Sequence, residues 1–273
     1  MSIGTLVFDT GAKTLAALDR DGRTLRLHGT TESSLTLDPP AATLTPGRSG
    51  EVLLPADRRV TRVDVRTGAT TVVEIDGNAR SAAVLPDGRL VVGTTDGTTR
   101  IIDTGTGATT AVDGLASVDA VAVTGDDVTA LDRRQTSVTA IDGDDRSLGL
   151  SLRAGEGATN LTTDRFGRIL VTDTTGDELI VFTAAPLVMR QRYPVGSSPY
   201  AVAYDNGADV AWVTLTGTNE VVGYDLSAGI PKEVGRFATV RQPDSVAVDS
   251  DTGDLYVGSA VGDGLQRIPG GRG

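Results

Sequence analysis

The chain has 273 residues, a net charge of −11, no cysteine and a single histidine. Lys occurs only at 13 and 232, and 29 of the 36 acidic residues are Asp; such a surface repels phosphate backbones and anionic lipid, which argues against a nucleic-acid partner. Without Cys there are no disulfides, thiolate metal sites or thiol nucleophiles. No apolar run approaches a membrane span, and no window carries the apolar spacing and caps of a helix.

In chain order, the first recognisable phrase is "IGTLVFDTGAKTLAAL" from Ile3, two strand-like runs around a polar turn. Looser copies follow: "AATLTPGRSGEVLLP" from Ala41, "SAAVLPDGRLVVGT" from Ser81, "VDAVAVTGDDVTAL" from Val118 and "ATNLTTDRFGRILVT" from Ala158. The clearest are "PYAVAYDNGADVAWVT" from Pro199 and "PDSVAVDSDTGDLYVG" from Pro243. Aligned on Gly4, Ala41, Ser81, Asp119, Thr159, Tyr200 and Asp244, they recur every 37 to 44 residues. A period near forty with four strand-like segments per unit is the mark of a propeller blade.

Each unit begins with a small, apolar strand, as crowding at a central axis requires, and reverses at an Asp/Gly turn. A second strand, a longer polar loop, a third strand and an irregular fourth follow. Seven anchors predict one all-β domain over 1–273, a seven-bladed β-propeller with blades of about forty residues. Its last blade is predicted to be three-stranded, or to lack a strand removed with a trimmed end, because only three residues follow "GLQRIPG". The alternative register makes "GTLVFD" an outer strand that closes the last blade. The chain starts within a strand, without a signal peptide, as a trimmed precursor would.

The phrases "WVTLTGTNEVVGYDLSAG" and "ILVTDTTGDELIVF" resemble YVTN- and NHL-type propeller repeats, with "VTLT", "VTDT" and "YVGS" in the second-strand slot. The section from "ALDRRQTSVTAI" through "RQRYPVGSSPYAVA" to "VRQPDSVAVDSDTGDLYV" is similar to the mycobacterial lipoprotein family of LppL and its actinobacterial relatives. The likeness covers the second half closely and the first half loosely. It implies an extracytoplasmic envelope protein tethered by a lipid anchor that this chain lacks. It implies no particular activity.

Direct signs of catalysis are few. His28, in "TLRLHG", reads as a surface or packing residue, so general-base work would fall to a carboxylate. No G-x-S-x-G elbow occurs. The acidic runs "IDGDDR" (141–146) and "DSDTGD" (249–254) lack the spacing of a calcium loop and read as turns. Trp212 and Tyr224 read as packing between blades.

The candidate site follows from repeat geometry. In a propeller, the start of each innermost strand and the loop between second and third strands open on one face, around the channel mouth. This places Asp119, Asn160, Tyr200 and Asp244 together, with Arg133 and Arg134 of "LDRRQT" and Arg58 and Arg59 of "ADRRV" beside them. Such a rim suits a polar small molecule or a loop of another protein. The plainer reading is the water-filled mouth that any propeller has. No catalytic set, metal or cofactor is assigned. The expectation is a monomeric, non-enzymatic binding or scaffolding module for an envelope protein or polar ligand. The alternative is an enzyme: a metal-dependent lactonase, using Asn160 with Asp119 and Asp244, or a quinone-dependent dehydrogenase. No Glu falls at an innermost-strand start, which weakens the metal variant.

Overall fold

Val-, Leu- and Ala-rich runs of four to seven residues, broken by Asp/Gly turns, pair with their sequence neighbours as antiparallel strands. A computed structural model describes residues 1–270. The first sheet is β1 (Ile3–Asp9), β2 (Thr14–Asp19), β3 (Thr24–His28) and β4 (Glu32–Thr36), in that order. Next comes a six-stranded sheet of β5 (Thr45–Pro46), β6 (Glu51–Asp64), β7 (Thr70–Val84), β8 (Leu90–Thr94), β9 (Thr99–Ile102) and β10 (Thr109–Val112).

Three regular four-stranded sheets follow. They are β11 (Ala120–Thr124), β12 (Asp127–Asp132), β13 (Ser137–Asp142) and β14 (Ser147–Arg153); β15 (Ala158–Thr163), β16 (Arg168–Asp173), β17 (Glu178–Thr183) and β18 (Val188–Pro194); and β19 (Pro199–Asp205), β20 (Val210–Leu215), β21 (Glu220–Asp225) and β22 (Lys232–Ala238). A three-stranded sheet of β23 (Pro243–Asp249), β24 (Asp254–Ser259) and β25 (Leu265–Ile268) ends the described chain.

The propeller therefore has six blades, counted as hydrogen-bonded sheets, and not the expected seven. The cause is local. The loop expected after "EVLLPA" is so short that β6 runs on through a bend at Arg58, whose φ is 56°. The junction "EIDGNARS" stays extended, so β7 continues from one repeat unit into the next. The second and third units thus share one sheet. The alternative register also fails: β1 pairs with β2 inside the first sheet and lines the central channel, so it is not an outer strand.

Among the described residues no strand is exchanged between the chain's ends. The ring closes by packing of the first sheet on the last. Ile3, Leu6, Leu15 and Ala17 form one apolar cluster with Ala247, and Phe8 stacks on Tyr256 with ring centroids 5.5 Å apart. The Met1 amino group donates to the Gly262 carbonyl at 3.0 Å, and the Gly264 N–H donates to the Met1 carbonyl at 3.1 Å. Similar apolar clusters fill the other seams, so the core is a ring of interfaces between blades.

The β-bulge at the start of the innermost strands matters most for function. Pairing slips by a residue between Ile3 and Thr5, Ala79 and Ser81, Ala158 and Asn160, Pro199 and Val202, and Pro243 and Ser245. A bulge leaves backbone groups unpaired and re-aims a side chain. The Thr172 hydroxyl accepts the Asn160 N–H, and the Thr214 hydroxyl accepts that of Ala201. This is why "VT" recurs in the second strand. Two units instead have Gly there, each facing a serine on the innermost strand: Gly93 faces Ser81, and Gly258 faces Ser245. A Cβ at either glycine would collide with that serine's Oγ and with the next blade, at Val118 or Ile3.

Candidate functional site

The channel has a volume of about 750 Å³, with walls formed by the innermost segments of all the repeat units. Its mouth is set by the bulges. Asp119, Asn160, Tyr200, Asp244 and Arg133 all line it. Arg134 is exposed beside it and lines a smaller recess of about 230 Å³, together with Arg80, Thr95, Ser117, Asp119 and Arg133. Five of the six residues singled out from the repeat geometry therefore surround one opening, with Arg134 beside it, and the five divide into two unequal groups.

The first group is a chain of polar contacts that crosses from sheet to sheet. Asp119 Oδ1 pairs with Arg80 Nε at 2.7 Å. Its Oδ2 accepts the Ser117 hydroxyl at 2.5 Å and the Arg133 N–H at 2.9 Å. Arg133 Nη2 donates to Asn160 Oδ1 at 2.9 Å, and Asn160 Nδ2 donates to the Tyr200 carbonyl at 2.9 Å. That carbonyl also accepts the Thr172 hydroxyl at 2.6 Å. Burial opposes ionisation of Asp119, but the Ser117 hydroxyl, the Arg133 N–H and the charges of Arg133 and Arg80 outweigh it and hold the carboxyl below its ordinary range. Arg133 is also pushed down from its usual guanidinium value, chiefly by burial.

The second group is smaller. Asp244 makes an ion pair with Arg20 at 2.7 Å across the closing seam.

Behind the mouth, two carboxylates absent from the predicted set hold the loops. Asp132 accepts the N–H groups of Ala116, Ser117, Arg134 and Gln135. Asp173 accepts those of Glu156, Gly157 and Gly176 at 2.7–3.0 Å. Both are fully buried, so each ties the start of an innermost strand to the following loop. The signal was present as Asp at the end of "TALD" and "LVTD". Arg80 was also missed, because aligning the third unit on Ser81 puts it one residue out of register. The bulge shows that Arg80 occupies the mouth, while Ser81 is buried and donates to the Val118 carbonyl at 3.2 Å.

Other sequence candidates lie elsewhere. Arg58 and Arg59 are absent from the channel walls and face Asp76 and Glu74, each at 3.8 Å. His28 lies on β3, 3.5 Å from Glu32, away from the channel. Asp142 and Asp249 close their own turns by accepting the N–H groups of Asp144 and Asp145, and of Asp251. Trp212 is buried against Phe237, with centroids 5.9 Å apart, and Tyr224 packs edge-on to Tyr193.

Known structures agree with this architecture. Hydrazine synthase of Kuenenia stuttgartiensis aligns with a TM-score of 0.77 at 15% identity, covering 98% of this chain and 95% of that one. A streptogramin B lyase structure aligns at 0.78 and 10% identity, covering 97% and 92%. A chain of a mitotic checkpoint complex aligns at 0.82 and 12% identity, covering 97% and 86%. At these identities the likeness defines the class alone: the chain is a β-propeller. No protein-family model matches the sequence, and no curated protein matches it either.

Proposed function

We propose that the chain is a non-enzymatic binding or scaffolding propeller of the actinobacterial cell envelope. On this reading it belongs with the YVTN- and NHL-type repeats and the lipoproteins it resembles. It is held outside the cytoplasmic membrane by a lipid anchor, acts as a monomer, and docks a protein partner or a polar ligand at the channel mouth. The supporting observation is the cross-blade chain Arg80–Asp119–Arg133–Asn160–Tyr200, which fixes donors and acceptors on a rigid rim without a nucleophile–base pair among them. Preorganised polar groups on a rigid frame favour recognition because little ordering cost remains on binding.

Charge reversal at two of the exposed arginines of the rim, Arg20→Glu with Arg134→Glu, tests the reading. An envelope partner identified by cross-linking and then purified is expected to bind at least about tenfold more weakly to this variant, the cost of losing a charged interface contact. Phe166→Ala, at an exposed hairpin turn outside the channel walls, serves as the control and leaves binding intact. Unchanged affinity in rim variants, with loss in the Phe166 variant, would refute it.

A further inference from the structure

The small recess beside the mouth has an unusual charge balance for so acidic a chain. Three guanidiniums, Arg80, Arg133 and Arg134, share its wall with one carboxylate, Asp119. That carboxylate is already engaged on both oxygens, by Arg80, the Ser117 hydroxyl and the Arg133 N–H. Arg134 Nη1 donates to the neutral Ala116 carbonyl at 3.0 Å, and Arg134 forms no ion pair among the described residues. Arg133 spends Nη2 on the neutral Asn160 amide, while its buried Nε has no hydrogen-bond partner among the described residues. A buried charged donor without a partner is costly, and an anion in the recess offsets that cost through the charge of the guanidinium that shares its wall.

We infer that this recess is a subsite for a single carboxylate group, carried by a small organic acid or by the free end or acidic side chain of a docked peptide. The inference rests on the mouth being a binding face and names the chemistry that it takes. A guanidinium presents planar paired donors that match the two oxygens of a carboxylate. Asp119 in the same wall repels a second negative charge, which disfavours a phosphate dianion. A volume of about 230 Å³ admits a small acid or one residue of a peptide. The depressed basicity of Arg133 agrees with a guanidinium desolvated without full compensation.

The test is an NMR titration of the Arg133 Nε–H resonance, assigned by its loss in Arg133→Lys. The probes are acetate, a short neutral peptide with a free C-terminus, its C-terminally amidated form, inorganic phosphate and chloride at matched ionic strength. Acetate and the free-acid peptide are expected to move the resonance saturably, whereas the amidated peptide and chloride leave it in place. Arg80→Gln, a change at an exposed side chain, is expected to weaken both by at least about tenfold with the fold intact by circular dichroism. Tighter binding of the peptide than of acetate identifies a chain end as the source; equal or weaker binding identifies a small acid. A resonance unmoved by either carboxylate, an equal response to phosphate or chloride, or full affinity in Arg80→Gln would each overturn the inference. Partner binding that still depends on Arg20 and Arg134 after such a failure would leave the broader proposal standing.

Discussion

The two sides of the channel mouth are built differently, although repeats of the same unit supply both. On one side, Asp119, Arg133, Asn160 and Tyr200 join neighbouring sheets through successive hydrogen bonds. On the other, Gly4 occupies the bulge of the first sheet, and Asp244 reaches across the closing seam to one exposed arginine, Arg20. The supports differ as well. Asp132 and Asp173 each bind several backbone N–H groups, while their counterpart Asp19 accepts from Arg26 and leaves its buried Oδ1 without a partner among the described residues. One side is a preorganised polar surface, and the other is a seam whose strength lies in apolar contacts such as Phe8 on Tyr256. The repeat fixes where side chains emerge, and the substitutions at those positions decide which side can recognise anything.

The largest expected effect follows from removing a support of the organised side. Asp173→Ala strands three N–H groups of part-buried hydrogen bonds and should lower stability by about 3 kcal/mol, read from denaturant unfolding. A loss no greater than that of an exposed Asp→Ala control would remove the distinction between the two sides. On the seam side, Gly258→Ala forces a Cβ onto Ser245 and Ile3 and should cost about 2 kcal/mol in the same assay. Pairing it with Ser245→Ala relieves only the first clash, so partial recovery is expected and full recovery would place the constraint within the sheet.

A third prediction concerns pH. The Asp119 carboxyl is held below its ordinary value of 3.8 in the folded state. Its contribution to stability is therefore complete above that value and is lost as pH falls through the lower, folded value. Arg80→Gln should raise the Asp119 titration midpoint, seen by carboxyl-carbon NMR, and narrow the acid range over which the protein stays folded; an unmoved midpoint would show that the ion pair has no influence. The smallest effect belongs to the seam's ion pair: Arg20→Ala should change stability by about 0.5 kcal/mol or less, because exposed pairs are screened.

Much of this was legible in the sequence because a propeller writes its period into the chain. The small first strand, the Asp/Gly turn and the "VT" second strand recur often enough to place Asp119, Asn160, Tyr200 and Asp244 around one mouth. The blade count was not legible. Whether a junction such as "EIDGNARS" loops or stays extended depends on packing that no local pattern records, and the merging of two units into one sheet followed from it. Arg80 was hidden for a related reason: a bulge shifts the mouth position by one residue, and only pairing reveals the shift. Asp132 and Asp173 carried a visible signal, but a carboxylate ending a strand looks the same whether it binds solvent or a loop. Asp19 shows that the motif alone does not decide it.

Where a partner touches the propeller tests the mouth as a docking face most directly. Hydrogen–deuterium exchange on the complex with a purified binding partner compares two mouth segments, residues 131–134 and 198–201, with the Phe166 turn and the rest of the surface. Slowed exchange concentrated in those two segments is the predicted result. Protection confined to the opposite hairpin turns or to the outer strands, with the mouth unchanged, would contradict it.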